Sequence, residues 1–359
     1  MKFSWSGKLR IAAVYIGGVV GAGFASGQEI LQFFLVFGTK GLWGILFAAG
    51  MFMFFGVIIL FLAGQMQEQS YRQILDILLG KNIGLLMDIW IMFFLFFGLC
   101  IMLAGSGAVF AQHFGAARYA GTALTAACIM AALAGEGEGV LFLNSFLVPI
   151  LFILILIVGG ACLLKSNPLS IQNNVILQSS HSLVAKNWIG ASFLYVSYNI
   201  IIALVIFASL DRGQIQGNIL GGVIGGLGLG FLALAMGLPM LKYPGDVSLF
   251  EIPMLHLAGE VHGVFEYFYT LALWLAMLTT AVANSYGLVK RVYPYFYKFV
   301  PVGTRGFGII LILIVLPFSK FGFVPLVANI YPIFGYAGIP ILLTLSVKAF
   351  RIVRSGSIR

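Results

Sequence analysis

Apolar residues run through the chain in stretches of about 20, the length a helix needs to cross a bilayer, and short polar or glycine-bearing breaks separate them. The pattern predicts helices at residues 9–37, 41–64, 83–113, 117–134, 140–164, 187–210, 216–240, 261–291, 304–319 and 322–350. An even number of spans returns the chain to the side on which it starts. Three connections are longer. Residues 64–82 read as a helix lying at the inner membrane surface, 165–186 as an outer loop, and 243–259, with Pro244 and Pro253, as a broken outer lid.

The first span departs from the pattern at mid-length. Gly17, Gly18, Gly21 and Gly23 interrupt it, and Ser26, Gln28 and Glu29 follow within the same apolar run. Backbone groups freed by such a break cannot face lipid, so the chain there is expected to line a cavity or a site, as in many secondary transporters. A small-residue packing seam is the plainer alternative. About 176 residues later Ser197, Tyr198 and Asn199 interrupt the sixth span, and the second span from Gly41 maps onto the seventh from Gly217. Ala104–Ala108 of the third span falls opposite Ala276–Ala283 of the eighth at a similar offset. The expected fold is therefore all-α and polytopic, with helices one and six broken. Residues 1–164 form a first repeat of five helices, 165–186 an outer loop and 187–359 a second repeat. An odd number of spans per repeat forces the two copies into inverted orientations.

Composition supports a membrane protein: 61% of the 359 residues are hydrophobic and 9% charged, against about 25% charged in soluble domains. No polar stretch within the sequence is long enough for a separate soluble catalytic module. Lys2, Lys8 and Arg10 ahead of Ile11–Val20 look like a signal peptide, but membrane-length sequence continues, and the segment reads as a retained first helix. Of the 20 basic residues, 14 fall on the side of the termini and 6 on the other. This imbalance predicts a multi-pass protein of the plasma or inner membrane with both termini cytoplasmic. The net charge of +9 thus orients the chain rather than binding nucleic acid. Cys100, Cys128 and Cys162 sit in separate apolar runs, as small buried hydrophobes do. The expected partners are the lipid bilayer and a small-molecule substrate.

A break offers carbonyls where one half-helix ends and N–H groups where the next begins, ligands for a cation and for a carboxylate respectively. Span eight brings Ala276, Thr279 and Thr280 near mid-membrane. The carbonyls of Gly17, Val20 and Ala276 with the hydroxyls of Thr279 and Thr280 make an all-oxygen set suited to a hard cation. Hydroxyls bonded back to their own helix are the alternative.

The run Gly21–Ile30 resembles that of the YkvI-type amino acid permeases, within the amino acid, polyamine and organocation superfamily of leucine-transporter fold. The resemblance extends over essentially all ten helices. Gly17, Val20, Gly21 and Gly23, with Ala276, Thr279 and Thr280, match the second sodium site of that fold. It implies a sodium-coupled symporter of a small amino acid working by alternating access. Helices one, two, six and seven would move against three, four, eight and nine, with sodium as coupling ion and no other cofactor. Phe24 stands where sodium-coupled relatives carry an Asn, so one sodium at most is expected, and the absence of lysine from helix five favours sodium over a proton. Gly139 and Pro149 resemble a spacing linked to unwinding of that helix's inner end.

The substrate would meet Gly21, Ala22, Gly23, Phe24 and Ala25, its carboxylate facing the N–H groups of 22–25 and its ammonium facing carbonyls near Ser197 or the side chain of Glu29. An ionised carboxylate at membrane depth costs roughly 3 kcal/mol unless paired or hydrated, so Glu29 reads as a gate, a proton-linked group or the partner of an amine. Gln28, Ser106, Tyr195, Ser197, Tyr198 and Asn199 are further pocket candidates. His256, Glu260, His262 and Glu266 could share a metal, but read more simply as a solvated lid and helix start. Rival readings are a proton-coupled or uncoupled carrier of a small organic cation, and a non-transporting membrane sensor. An intramembrane enzyme would need an acid/base or nucleophile pair spaced for chemistry, and none is apparent.

Overall fold

A computed structural model describes residues 5–65, 75–76, 79–135, 138–165, 182–207, 210, 212–215, 218–242, 247–297 and 302–355. Among these residues every regular element is a helix, with no strand. Eight helices are long and apolar enough to cross a membrane. They are span two (Lys40–Gln65), three (Lys81–Phe114), five (Glu138–Lys165), six (Trp188–Phe207), seven (Leu220–Lys242), eight (Gly263–Phe296), nine (Thr304–Val315 with a 3-10 extension to Phe321) and ten (Phe323–Ser355). Span four, Arg118–Ala134, has 17 residues, about 26 Å of helix. Span one is assembled from three pieces, α1 (Trp5–Val19), α2 (Ala22–Ala25) and α3 (Gln28–Phe33). We call the side on which span one begins and span ten ends the terminal face.

In lipid no hydrophobic force draws one helix to another, so close backbone approach has to supply the packing. Span seven achieves this with two glycine faces. Gly222, Gly226 and Gly230 meet Gly56, Met53 and Ala49 of span two, and a Cβ on Gly226 would stand 2.5 Å from the Met53 nitrogen. Gly221, Gly225 and Gly228 meet Ile11, Tyr15 and Ile16 of α1. Tyr15 is locked further by its hydroxyl, which donates to the Phe52 carbonyl at 3.0 Å.

Contacts between spans come in the pairs that two inverted copies of five helices require. Span one packs on seven and span six on two; three packs on four and eight on nine; five packs on eight and ten on three. The pairs are not equally tight, and one differs most. Span ten closes tightly on span six, with Gly335 and Gly338 against the carbonyls of Leu194 and Ser197. Its counterpart, span one beside span five, is opened by a crevice lined by Leu9, Ala13, Gly17, Val148 and Pro149.

The expected break in span six is absent: the α-helix runs uninterrupted from Trp188 to Phe207, straight through Ser197, Tyr198 and Asn199. This stretch contains no proline, and its one glycine, Gly190, lies in the first turn. Ser197 and Asn199 bond back to the helix instead of opening it. The Ser197 hydroxyl lies 2.9 Å from the Leu194 carbonyl and 2.6 Å from that of Gly335, and the Asn199 amide donates to Tyr195 at 2.9 Å. The 20 residues of the helix span about 30 Å, and residues 208, 209 and 211 beyond it lie outside the described residues.

Of the longer connections, most of 64–82 and residues 166–181 of the outer loop lie outside the described residues. The lid is helical over Pro253–Val261, while Pro244 lies outside the described residues.

Candidate functional site

Span one breaks where its glycines predict. The Val20 N–H still reaches Ile16 (2.7 Å), but the Gly21 N–H folds back onto Val19 (2.8 Å), and Gly21 itself is extended, with φ −86° and ψ −178°. The carbonyls of Gly17, Gly18 and Val20 are thereby released, and no hydrogen bond to them is found among the described residues. One helical turn follows, then a second break at Gly27, whose φ of +83° is a left-handed conformation that glycine adopts without strain. Ser26 caps this joint: its hydroxyl donates to the Gly23 carbonyl at 2.6 Å and accepts from the Gln28 N–H at 3.1 Å.

The outer part of span one is anchored. Tyr269 of span eight donates to the Ala25 carbonyl at 2.5 Å, and the Met254 N–H of the lid donates to Ser26 at 3.1 Å. The lid is held in turn by Gln112 of span three, which exchanges two hydrogen bonds with Ile252 (3.0 and 3.1 Å), and by an Arg118–Glu251 ion pair. Phe33, Phe34, Tyr195 and Tyr198 pack ring against ring beneath it.

Below this plug lies a cavity of about 290 Å³. Its walls include Gly17, Gly18, Val20, Gly21 and Gly23 of span one, Tyr198 and Asn199 of span six, Ala276, Thr280 and Asn284 of span eight, and Tyr331 of span ten. It continues past Ile202 and Ile206 to Arg291, near the terminal-face ends of spans six and eight. The Arg291 guanidinium lies 3.9 Å from Asp88.

Glu29 forms the end of the cavity remote from the terminal face. Although only 4% exposed, it has no base within ion-pair distance among the described residues. Oε2 accepts from the Tyr198 hydroxyl at 2.7 Å, and Oε1 lies over Gly23, where any Cβ would collide with it. The ring of Tyr331 stacks on that of Tyr198, with centroids 4.9 Å apart and planes at 15°.

Nine of the sequence candidates therefore share one cavity: Gly17, Val20, Gly21, Gly23, Glu29, Tyr198, Asn199, Ala276 and Thr280. Thr280 and Asn284, one turn apart on span eight, face it with no hydrogen bond to either side chain among the described residues. The hydroxyl of Thr279 is engaged with the Ala276 carbonyl at 3.1 Å and lies off the cavity wall. Ala22, Phe24 and Ala25 are buried in α2, and the Ala25 N–H, expected to face a carboxylate, donates to Gly21 at 3.0 Å. The Ser106 hydroxyl donates to Met102 at 2.6 Å. Tyr195 belongs to the aromatic plug, and Ser197 ties span six to span ten. Gln28 is buried in α3 with its side-chain oxygen unpartnered.

Asn284, Tyr331 and Arg291 escaped the sequence reading. Gly98 is a signal for the first, since a Cβ there would stand 2.8 Å from the Asn284 amide. The His/acid group is dispersed among other tasks. His256 stacks on Phe250, His262 accepts from the Val264 N–H at 3.2 Å to cap span eight, and Glu266 pairs with His113 at 2.8 Å.

No protein-family model matches the chain. It is similar to the uncharacterized membrane protein YkvI of Bacillus subtilis (strain 168), 29% identical over 345 residues that cover 94% of this chain and 95% of that one. The uncharacterized protein YyaD of the same organism is also 29% identical over 345 residues, covering 95% and 96%. Among solved structures, the inward-facing conformation of Mhp1 matches with a TM-score of 0.61 at 14% identity, over 88% of this chain and 70% of that one. The Eremococcus coleocola manganese transporter, in complex with an aromatic bis-isothiourea compound, matches at 0.57 and 14%, over 95% and 78%. These likenesses establish the fold, which is of the leucine-transporter type.

Proposed function

We propose, for a chain that is a relative of YkvI and YyaD and has the leucine-transporter fold, that it is a secondary transporter coupling sodium to the movement of a small amino acid or related amine-bearing solute. One observation carries this reading. Gly17, Gly18 and Val20, whose carbonyls accept no hydrogen bond among the described residues, line the same cavity as Thr280 and Asn284, with a buried carboxyl at its end. Irregular chain at this depth is tolerated where it lines such a cavity, and oxygens gathered there suit a hard cation. The proteins sharing the fold include a manganese transporter, which supports transport as the activity.

In this conformation the cavity opens toward the terminal face, which is the cytoplasmic side on the charge distribution. Sodium would draw α1 toward span eight by bridging the span-one carbonyls to Ala276 and Thr280, closing the terminal face as the lid side opens. The solute occupies the cavity beside Gly21, Gly23, Tyr198 and Glu29. Uptake into proteoliposomes tests this directly: replacing sodium with choline at fixed pH should abolish accumulation. Undiminished uptake in choline, with accumulation following a pH gradient instead, would favour proton coupling through Glu29.

A further inference from the structure

Resting on the transporter reading, we propose that Glu29 is the built-in counterion of the substrate, and that the solute carried is a small organic amine with no carboxylate beside its ammonium group. Glu29 is the one acidic side chain among the described residues lining the cavity, and Arg291 the one basic. Arg291 lies 11 residues beyond Thr280 on span eight, about 16 Å along the helix, and is drawn toward Asp88. The two ends of the cavity are thus separate electrostatic environments. A buried carboxylate without a base nearby is strongly disfavoured, and a cationic guest supplies the missing charge.

The position of the ionised carboxyl disfavours a second one beside it. Oε1 rests on Gly23, in the turn that follows the Gly21 break, where an amino acid would lay its own carboxylate, and Tyr198 holds Oε2 in place at 2.7 Å. Like charges set side by side cost several kcal/mol, so a zwitterion fits this end poorly. An ammonium fits well. The stacked rings of Tyr198 and Tyr331 line the same cavity, and an aromatic face next to a carboxylate is strong recognition chemistry for an alkylammonium. Met102, Leu151, Ile201 and Ile202 give the rest of the wall a hydrocarbon character, suited to the carbon chain of such a cation.

The test uses amine and amino acid pairs that differ by the carboxylate alone: isoamylamine with leucine, phenethylamine with phenylalanine, and cadaverine with lysine. Binding to the purified full chain in sodium is read by thermal shift, and transport by exchange of labelled solute in proteoliposomes. At least one amine should bind and exchange at concentrations about tenfold or more below its amino acid, and Glu29→Gln should remove that preference. Gly23→Ala, which displaces the carboxyl while keeping its charge, should weaken amine binding as well. Equal or tighter binding of the amino acids, amine binding unaffected in Glu29→Gln, or no binding by any amine overturns the proposal. Sodium-driven exchange of amino acids but not amines would overturn it while leaving the transporter reading intact. Amine binding without any exchange would do the reverse.

Discussion

At the scale of single residues, two adjacent threonines have parted company. Thr280 faces the cavity opposite the released carbonyls, whereas Thr279 bonds to the Ala276 carbonyl behind it. Thr280→Ala should therefore reduce sodium stimulation of uptake more than Thr279→Ala does, by about tenfold in apparent sodium affinity if one charge-assisted contact of roughly 1.5 kcal/mol is lost. Equal losses in a sodium titration would mean that both hydroxyls bind the ion. Sequence spacing could place the two on span eight but could not tell which faced inward, because neighbours on a helix point about 100° apart and the angle of the cavity is set by tertiary packing. Glu29 was legible because a carboxylate in an apolar run is rare. Tyr331 and Asn284 were not, since lone polar residues in membrane helices usually serve as packing glue.

At the scale of elements, glycine and proline carried most of the legible signal. Span one breaks at Gly21 and again at Gly27, and only the second needs a left-handed residue. Gly27→Ala would require that conformation of a side-chain-bearing residue and would drive its Cβ into Met240 and Met254. It should lower stability by at least about 1 kcal/mol, visible as a reduced Tm in detergent; an unchanged Tm would show that the joint can relax. Span six is polar at mid-length yet unbroken. Ser197-Tyr198-Asn199 looks like an interruption when the chain is read for polarity, but each side chain finds a partner and the backbone stays wound. Polarity measures what side chains need, whereas a break depends on the backbone, and the small residues that accommodate span six sit on its partner at Gly335 and Gly338.

Considered whole, the molecule is two matching halves in unequal postures. The hydropathy pattern placed the spans to within a few residues, as with 83–113 expected against Lys81–Phe114 observed, because membrane thickness fixes helix length. Which side stands open is a matter of packing, which one sequence does not display. The tight seam between spans six and ten and the loose one between one and five set the posture here. A cysteine at Ile202, on the cavity wall, should react with membrane-impermeant thiol reagents from the side of the termini, and sodium should slow that reaction. Cys100 and Cys162 are buried and Cys128 half-buried, so a Cys128→Ser background keeps the assay clean. Labelling from the opposite side alone would reverse the assignment of the open face.

The intact backbone of span six also has an electrical consequence. If the released carbonyls of span one hold the coupling ion, and span six, wound from Trp188 to Phe207, offers no second such break, one sodium would bind per cycle. If an alkylammonium travels with it, each turnover moves two positive charges across the membrane, each worth about 2.3 kcal/mol per 100 mV. Inward current recorded with tracer flux should therefore show about two charges per solute molecule, and a resting voltage alone would concentrate the cargo without any ion gradient.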